Sequence, residues 1–264
     1  MKIIVLVENT TTCDLEATHG LSLYIETKKH KLLFDLGPDQ TVFENAKKKG
    51  IDLQEVDTVV ISHGHNDHGG ALEQFLEEND KAKIYIQERA FEPHFSKAGE
   101  DMVPIGLNSD LKENPRILLL NGDFVIDEEL QLFTVESREK CYSEANDVLY
   151  NVHGLDDFAH EQNLIICENE TVLIMGCGHT GVINIMEKAK QFKPKVCIGG
   201  FHLYRPRLKQ TVSEELLEKI SIEMKKYAEV QFYTCHCTGE KAYKYLADHM
   251  ENVHYISCGE CMEL

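Results

Sequence analysis

Three histidines and an aspartate stand within six residues, His63-Gly64-His65-Asn66-Asp67-His68, directly after the apolar run Val59-Val60-Ile61. No other stretch limits the possible folds as strongly. A β-branched run that breaks into a polar turn reads as a buried strand ending at a sheet edge. Neutral imidazole and carboxylate are the ligands that borderline divalent metals take. A surface turn would explain one histidine, but not three with an aspartate at this spacing. The fold must therefore bring other chain segments to this strand end, where their donors can complete a metal site.

Further donors do lie at strand-like ends. The pattern predicts strands over 2–7, 21–25, 31–34, 57–61, 83–86, 117–120, 130–135, 164–167, 171–175, 196–198, 230–233 and 253–256. Helices are predicted over 41–49, 182–192 and 240–249, and the stripe Val212, Leu216, Ile220, Met224 and Tyr227 marks another. The apolar run Ile3–Val7 is too short for the core of an export leader and reads as the first strand. Strands in two clusters, each followed by helices, predict an α/β fold of two sheets with helices outside, one domain over 1–264. Asp35 closes the strand at 31–34, His160 precedes that at 164–167, Cys177 follows that at 171–175, and His236 follows that at 230–233. The polar, turn-rich segment 137–157 suits a lid or binding loop, and equally a decorative insertion.

The formal charge of −18 argues against a nucleic-acid partner held by phosphate contacts. No apolar run is long enough to span a membrane. Nine cysteines, an odd number with several inside apolar runs, indicate free thiols in a reducing cytoplasm. Cys235-x-Cys237 and Cys258-x-x-Cys261 admit a second reading as a four-cysteine zinc knot; with Cys235 and Cys237 on a strand end, both thiols are expected to point away from His236.

The sequence resembles the metallo-β-lactamase superfamily. Phe34-Asp35-Leu36-Gly37, the His63-x-His65-x-Asp67-His68 cluster, His160, Met175-Gly176-Cys177 and Thr234-Cys235-His236-Cys237 are similar to that family's successive motifs, in order. The stretches Asp157-Phe158-Ala159-His160-Glu161-Gln162, Gly178-His179-Thr180-Gly181 and Gly199-Gly200-Phe201-His202 resemble one branch in particular. That branch includes archaeal dihydropterin-methyl ribofuranosylaminobenzene phosphate synthases and bacterial metal-dependent hydrolases. The resemblance implies a four-layer αβ/βα sandwich with the site at the rim between two mixed sheets.

It also implies roles. His63, His65 and His160 would hold one divalent ion, and Asp67, His68 and His236 a second, with Asp67 also counted among the catalytic residues. Two ions about 3.5–4 Å apart share a hydroxide. Cys177 stands where most members carry a bridging aspartate. It either ligates one ion, bridges both, or stands by with one site empty, and a buried structural thiol is the plain alternative. A soft thiolate favours zinc, with iron or manganese as other options. Asp35 would support the histidine turn from behind. His179 and His202 lie outside the general motifs; they suit substrate contact or acid–base catalysis, and equally hydrogen-bonded support. Thr180-Gly181 opens a helix, which suggests an anion site for a substrate phosphate, and Arg205 and Arg207 could add charge.

Three functions stay open from sequence. The first is a hydrolase acting on a small substrate, phosphorylated or not, through metal-bound hydroxide. The second is a pterin-type transferase, which needs an apolar slot for two rings; Phe91, Phe95, Tyr142, Tyr150 and Phe201 are the aromatic candidates. The third is a metal-binding or redox-sensing protein without turnover.

Overall fold

The computed structural model describes residues 1–264. In the strand Lys2–Val7, Ile3 and Val5 face one layer while Ile4 and Leu6 face another. Both faces are apolar, so the sheet needs cover on both sides. Lys2–Val7 pairs antiparallel with Ser22–Glu26 and, on its outer edge, with Cys261–Glu263. Lys31–Phe34 adds antiparallel to Ser22–Glu26; Thr58–Val60, Lys83–Gln87 and Ile117–Leu120 then continue in parallel, completing seven strands. The second sheet also has seven. Phe124–Val125, Leu130–Phe133, Asn163–Cys167 and Thr171–Ile174 run antiparallel, and Val196–Gly199, Gln231–Thr234 and Val253–Tyr255 extend it in parallel.

The strand alternation produces four layers. Ile3, Val5, Leu32 and Phe34 of the first sheet share a core with Leu132, Leu164, Ile166 and Ile174 of the second. On the outer face of the first sheet, Leu33 and Val59 pack with Val42, Leu72 and Phe75 from the helices Thr41–Lys48 and Leu72–Glu78. On that of the second, Leu173 and Phe232 pack with Ile183, Ile220 and Leu246 from Val182–Ala189, Glu214–Met224 and Glu240–His249. This is the αβ/βα sandwich. The loops that follow Phe34, Val60, Ile174, Gly199 and Thr234 all open at one rim, where open α/β sheets bind ligands.

Among the differences from the sequence expectation, two bear on the sheet edge and the cavity. The edge strand Cys261–Glu263 was not predicted, because it is short and largely exposed. The segment 137–157 is not a bare loop. It contains a 3₁₀ turn, Glu144–Val148, and the strands Leu149–Asn151 and Gly154–Leu155. With His94–Ala98 and Asp101–Pro104 these form a separate four-stranded flap. Met102 and Leu155 of this flap are exposed, so its composition carries no clean alternation. No helix is long and apolar enough to cross a membrane.

Candidate metal centre

Asp35 begins the site. It follows the strand Lys31–Phe34 with a left-handed backbone, φ 61°, a conformation that costs a non-glycine residue energy and clusters at functional sites. Its carboxylate accepts from Ser62 N at 2.7 Å, Ser62 Oγ at 2.7 Å and His68 Nδ1 at 2.6 Å. Ser62 Oγ in turn meets His63 Nδ1 at 2.8 Å. Both imidazoles are thereby turned with Nε2 into the interior. Gly176 permits this packing, because a Cβ there would come within 2.2 Å of Ser62 Oγ.

The donors then converge. His63 Nε2 lies 3.0 Å from His65 Nδ1 and 3.3 Å from His179 Nε2. His68 Nε2 lies 3.2 Å from Cys177 Sγ and 3.3 Å from His236 Nε2. His236 Nε2 is 3.2 Å from Asp67 Oδ2, and its Nδ1 is held by Asn9 Oδ1 at 2.8 Å. Two nitrogens on one tetrahedral zinc lie about 3.3 Å apart, so this donor set fits divalent ions. His65 Nε2 is buried without a partner.

His160 lies at the edge of this group, in a donor cluster with His65, His94 and Asp156. Its Nδ1 accepts from Gly64 N at 2.9 Å, and its Nε2 faces Asp156 Oδ2 at 3.3 Å. His94 Nδ1 meets the same carboxylate oxygen at 2.8 Å. The geometry departs here from the expected set of His63, His65 and His160, because both ring nitrogens of His160 are already engaged.

Burial pushes His63, His65 and His179 well below the ordinary imidazole range, and neighbouring imidazoles add to it. Burial also lowers His68, but the Asp35 and Asp67 carboxylates outweigh it and raise that group. Burial opposes ionisation of Asp67, yet His68, His19 and His236 hold it well below the usual carboxylate range. Burial raises Cys177 well above an ordinary thiol.

Two further expectations are corrected, and the second reading of the cysteines falls away in favour of the expected free thiols. The helix start at Thr180 and Gly181 does not await a substrate anion. The buried Glu161 carboxylate fills it, taking His179 N at 2.6 Å, Thr180 N at 2.9 Å and Thr180 Oγ1 at 2.7 Å. Cys237 turns towards His236 and Cys177 instead of away, because His236–Thr238 is a 3₁₀ turn and not a strand; Cys235 alone enters the core between the sheets. No four-cysteine knot forms: Cys258 Sγ donates to Leu6 O, Cys261 is exposed, and all nine thiols are free. His202 has a left-handed backbone, φ 47°, and neither of its buried ring nitrogens has a partner. Sequence reasoning missed Ser62, Glu161 and Cys237, although each adjoins a motif histidine. It also missed Asn9 and Asn146, which carry no spacing signal.

The site opens into a cavity of about 360 Å³. His65, Asp67, Cys177, His179, His202 and His236 line it, together with Lys97, Arg205 and Arg207 and the apolar Ile105, Val148 and Leu149. None of Phe91, Phe95, Tyr142, Tyr150 and Phe201 lines it; Phe91 and Phe201 sit in the two outer cores. The 137–157 segment contributes Ala145, Val148 and Leu149.

A four-layer sandwich with histidines, a carboxylate and a thiol at its rim defines a metal-binding protein of the metallo-β-lactamase fold, and the chain is similar to the metallo-β-lactamase superfamily. The family model of that description matches residues 15–138. Among solved structures, one described as a metal-dependent hydrolase of the β-lactamase superfamily is 28% identical, covers 100% of this chain and 99% of its own, and gives a TM-score of 0.82. Two curated relatives come from Methanocaldococcus jannaschii. One, named 7,8-dihydropterin-6-methyl-4-(β-D-ribofuranosyl)-aminobenzene-5'-phosphate synthase, is 29% identical over 250 residues, 85% of this chain and 82% of the relative. The other, an uncharacterized protein, is 28% identical over 246 residues, 90% of this chain and 91% of the relative.

Proposed function

We propose that this chain is a metal-dependent hydrolase of a small phosphate-bearing substrate. The observation that carries the proposal is the cavity, which is lined both by metal donors and by the cationic Lys97, Arg205 and Arg207. Its volume suits a small molecule. When bound, the metal ions supply Lewis acidity and lower the pKa of a water towards neutrality. His63, His65, Asp67, His68, Cys177 and His236 supply donors for them. The thiol of Cys177 favours zinc, or iron, over harder ions. Lys97 and Arg207 are exposed at the wall and can bind phosphate oxygens. Arg205 is anchored on Asp147 at 3.4 Å and on the Glu144 carbonyl, and shapes that wall. His202, with both ring nitrogens uncommitted, is the group in reach to pass a proton to the leaving group. Ile105, Val148 and Leu149 add an apolar part to the lining. Nine free thiols suit a cytoplasmic setting.

The test is a hydrolysis panel of phosphomonoesters, phosphodiesters, thioesters and lactones on the metal-loaded chain. Charged hydrogen bonds contribute about 1.5–3 kcal/mol each. Lys97→Ala with Arg207→Ala should therefore raise KM for phosphate-bearing substrates by about tenfold or more, with little change in kcat. An unchanged KM, or turnover confined to uncharged esters, would overturn the phosphate reading.

The synthase relative favours a second reading, in which an aryl carbon replaces water as the attacking group. The apolar part of the lining could seat a ring, but no aromatic pair belongs to it. Product formation that depends on an aromatic acceptor, with no hydrolysis in its absence, would favour that reading.

A further inference from the structure

We infer that His179, not His160, completes the donor set of His63 and His65, and that His160 is a positioning residue behind the histidine turn. The inference rests on the two-metal reading above and concerns which ring nitrogens keep a free lone pair. An imidazole ligates through its unprotonated nitrogen, and the partner of the other nitrogen decides which one that is.

His179 Nδ1 lies 3.0 Å from Asn146 Oδ1. The amide is oriented by its other end, because Asn146 Nδ2 donates to the His179 carbonyl at 2.8 Å. Asn146 Oδ1 can only accept, so His179 carries its proton on Nδ1. Its bare Nε2 then points into the site, 3.3 Å from His63 Nε2. Phe158 stacks on the ring at 4.4 Å between centroids, with 2° between planes, and fixes its orientation. The same logic turns Nε2 of His63 inward through Ser62, and of His236 through Asn9.

His160 has the reverse arrangement. A backbone N–H can only donate, so the Gly64 contact claims the Nδ1 lone pair and leaves the proton on Nε2. That proton faces Asp156, whose carboxylate is itself fixed by His94 Nδ1 and, at 2.8 Å, by Phe158 N. To ligate, His160 would have to leave both buried partners unpaired. It instead pins the backbone between His63 and His65. The swap also ties the centre to the flap, because Asn146 lies in the turn Glu144–Val148 that walls the cavity.

Crystals of the full chain grown with zinc, with anomalous data at the zinc edge, test the assignment. The expected peak lies about 2.0–2.1 Å from His179 Nε2, His63 Nε2 and His65 Nδ1, with His160 still on Gly64. A peak on His160 Nε2 with His179 displaced would overturn the assignment and leave the hydrolase reading intact. No peak among these residues would remove the two-metal reading beneath it. In solution, His179→Gln should lose about one metal equivalent and change the cobalt-substituted spectrum, while His160→Gln keeps both ions and that spectrum. Asn146→Leu should weaken one ion by about 10–100-fold. The opposite pattern in the two glutamine variants would refute the inference.

Discussion

Replacing Asp35 by asparagine removes no volume, yet it should disable the centre. Asp35 Oδ2 accepts from both Ser62 Oγ and His68 Nδ1, and Oδ1 accepts from Ser62 N. An amide has only one acceptor end. If its nitrogen takes the Oδ2 place, His68 Nδ1 must become an acceptor and its proton moves to Nε2, where a metal would bind. Ser62 Oγ must then accept from the amide, freeing its proton for His63 Nδ1, and His63 inverts too. If the amide turns over, its nitrogen meets the buried Ser62 N–H, donor against donor. An unsatisfied buried group costs about 1–3 kcal/mol, and loss of a ligand's outer partner costs about 10–100-fold in metal affinity. Competitive chelator titration and urea unfolding of the Asp35→Asn chain should show weaker metal binding, by about 1.4–2.7 kcal/mol, and a lower midpoint. Unchanged affinity would refute the claim that Asp35 sets the two tautomers.

Other outcomes follow from the same network. Cys177→Ser should shift metal preference from zinc towards harder ions such as manganese in a mixed-metal competition read by elemental analysis; an identical metal profile would show that the thiol is no donor. Glu161→Gln should lower stability by about 1–3 kcal/mol, because one end of the amide must face a donor at His179 N or Thr180; thermal melts check it, and an unshifted midpoint contradicts it. Acid should destabilise the metal-free chain. His63, His65, His160 and His179 are lowered below the ordinary 6.5, so they are neutral when folded and take up protons on unfolding. Each then removes up to about 1.4 kcal/mol per pH unit as pH falls below that value. His68 is raised, so its contribution is complete below 6.5 and is lost as pH rises through its folded value. Urea midpoints of the chelator-treated chain should therefore peak near pH 6.5, and a midpoint that climbs into acid would count against the buried neutral imidazoles.

The sequence carries the frame of this site well, and its hydrogen bonding poorly. That the cluster from His63 to His68, Asp35, Cys177 and His236 meet at one rim was legible because each follows an apolar, strand-like run, and strand ends in such a fold share a rim. The four layers were legible for the same reason: period-two alternation with both faces apolar requires cover on both sides. What escaped depends on which nitrogen carries a proton. His160 and His179 are both histidines beside strands, and only Gly64 N on one and Asn146 on the other separates their chemistry. Thr180-Gly181 looks like an anion site in sequence, and the occupant, Glu161, is nineteen residues from Thr180. Cys237 reads as outward-facing on a strand, but the 3₁₀ turn rotates it in. The flap was illegible because its exposed apolar residues break the alternation that marks a strand.

Metal content tests the central claim most directly. Elemental analysis of the purified, dialysed chain should give about two divalent ions per chain. His63→Ala and Asp67→Ala should each lower that content and abolish turnover. A wild-type chain that turns over substrate without bound metal, or full activity in either variant, would contradict the account.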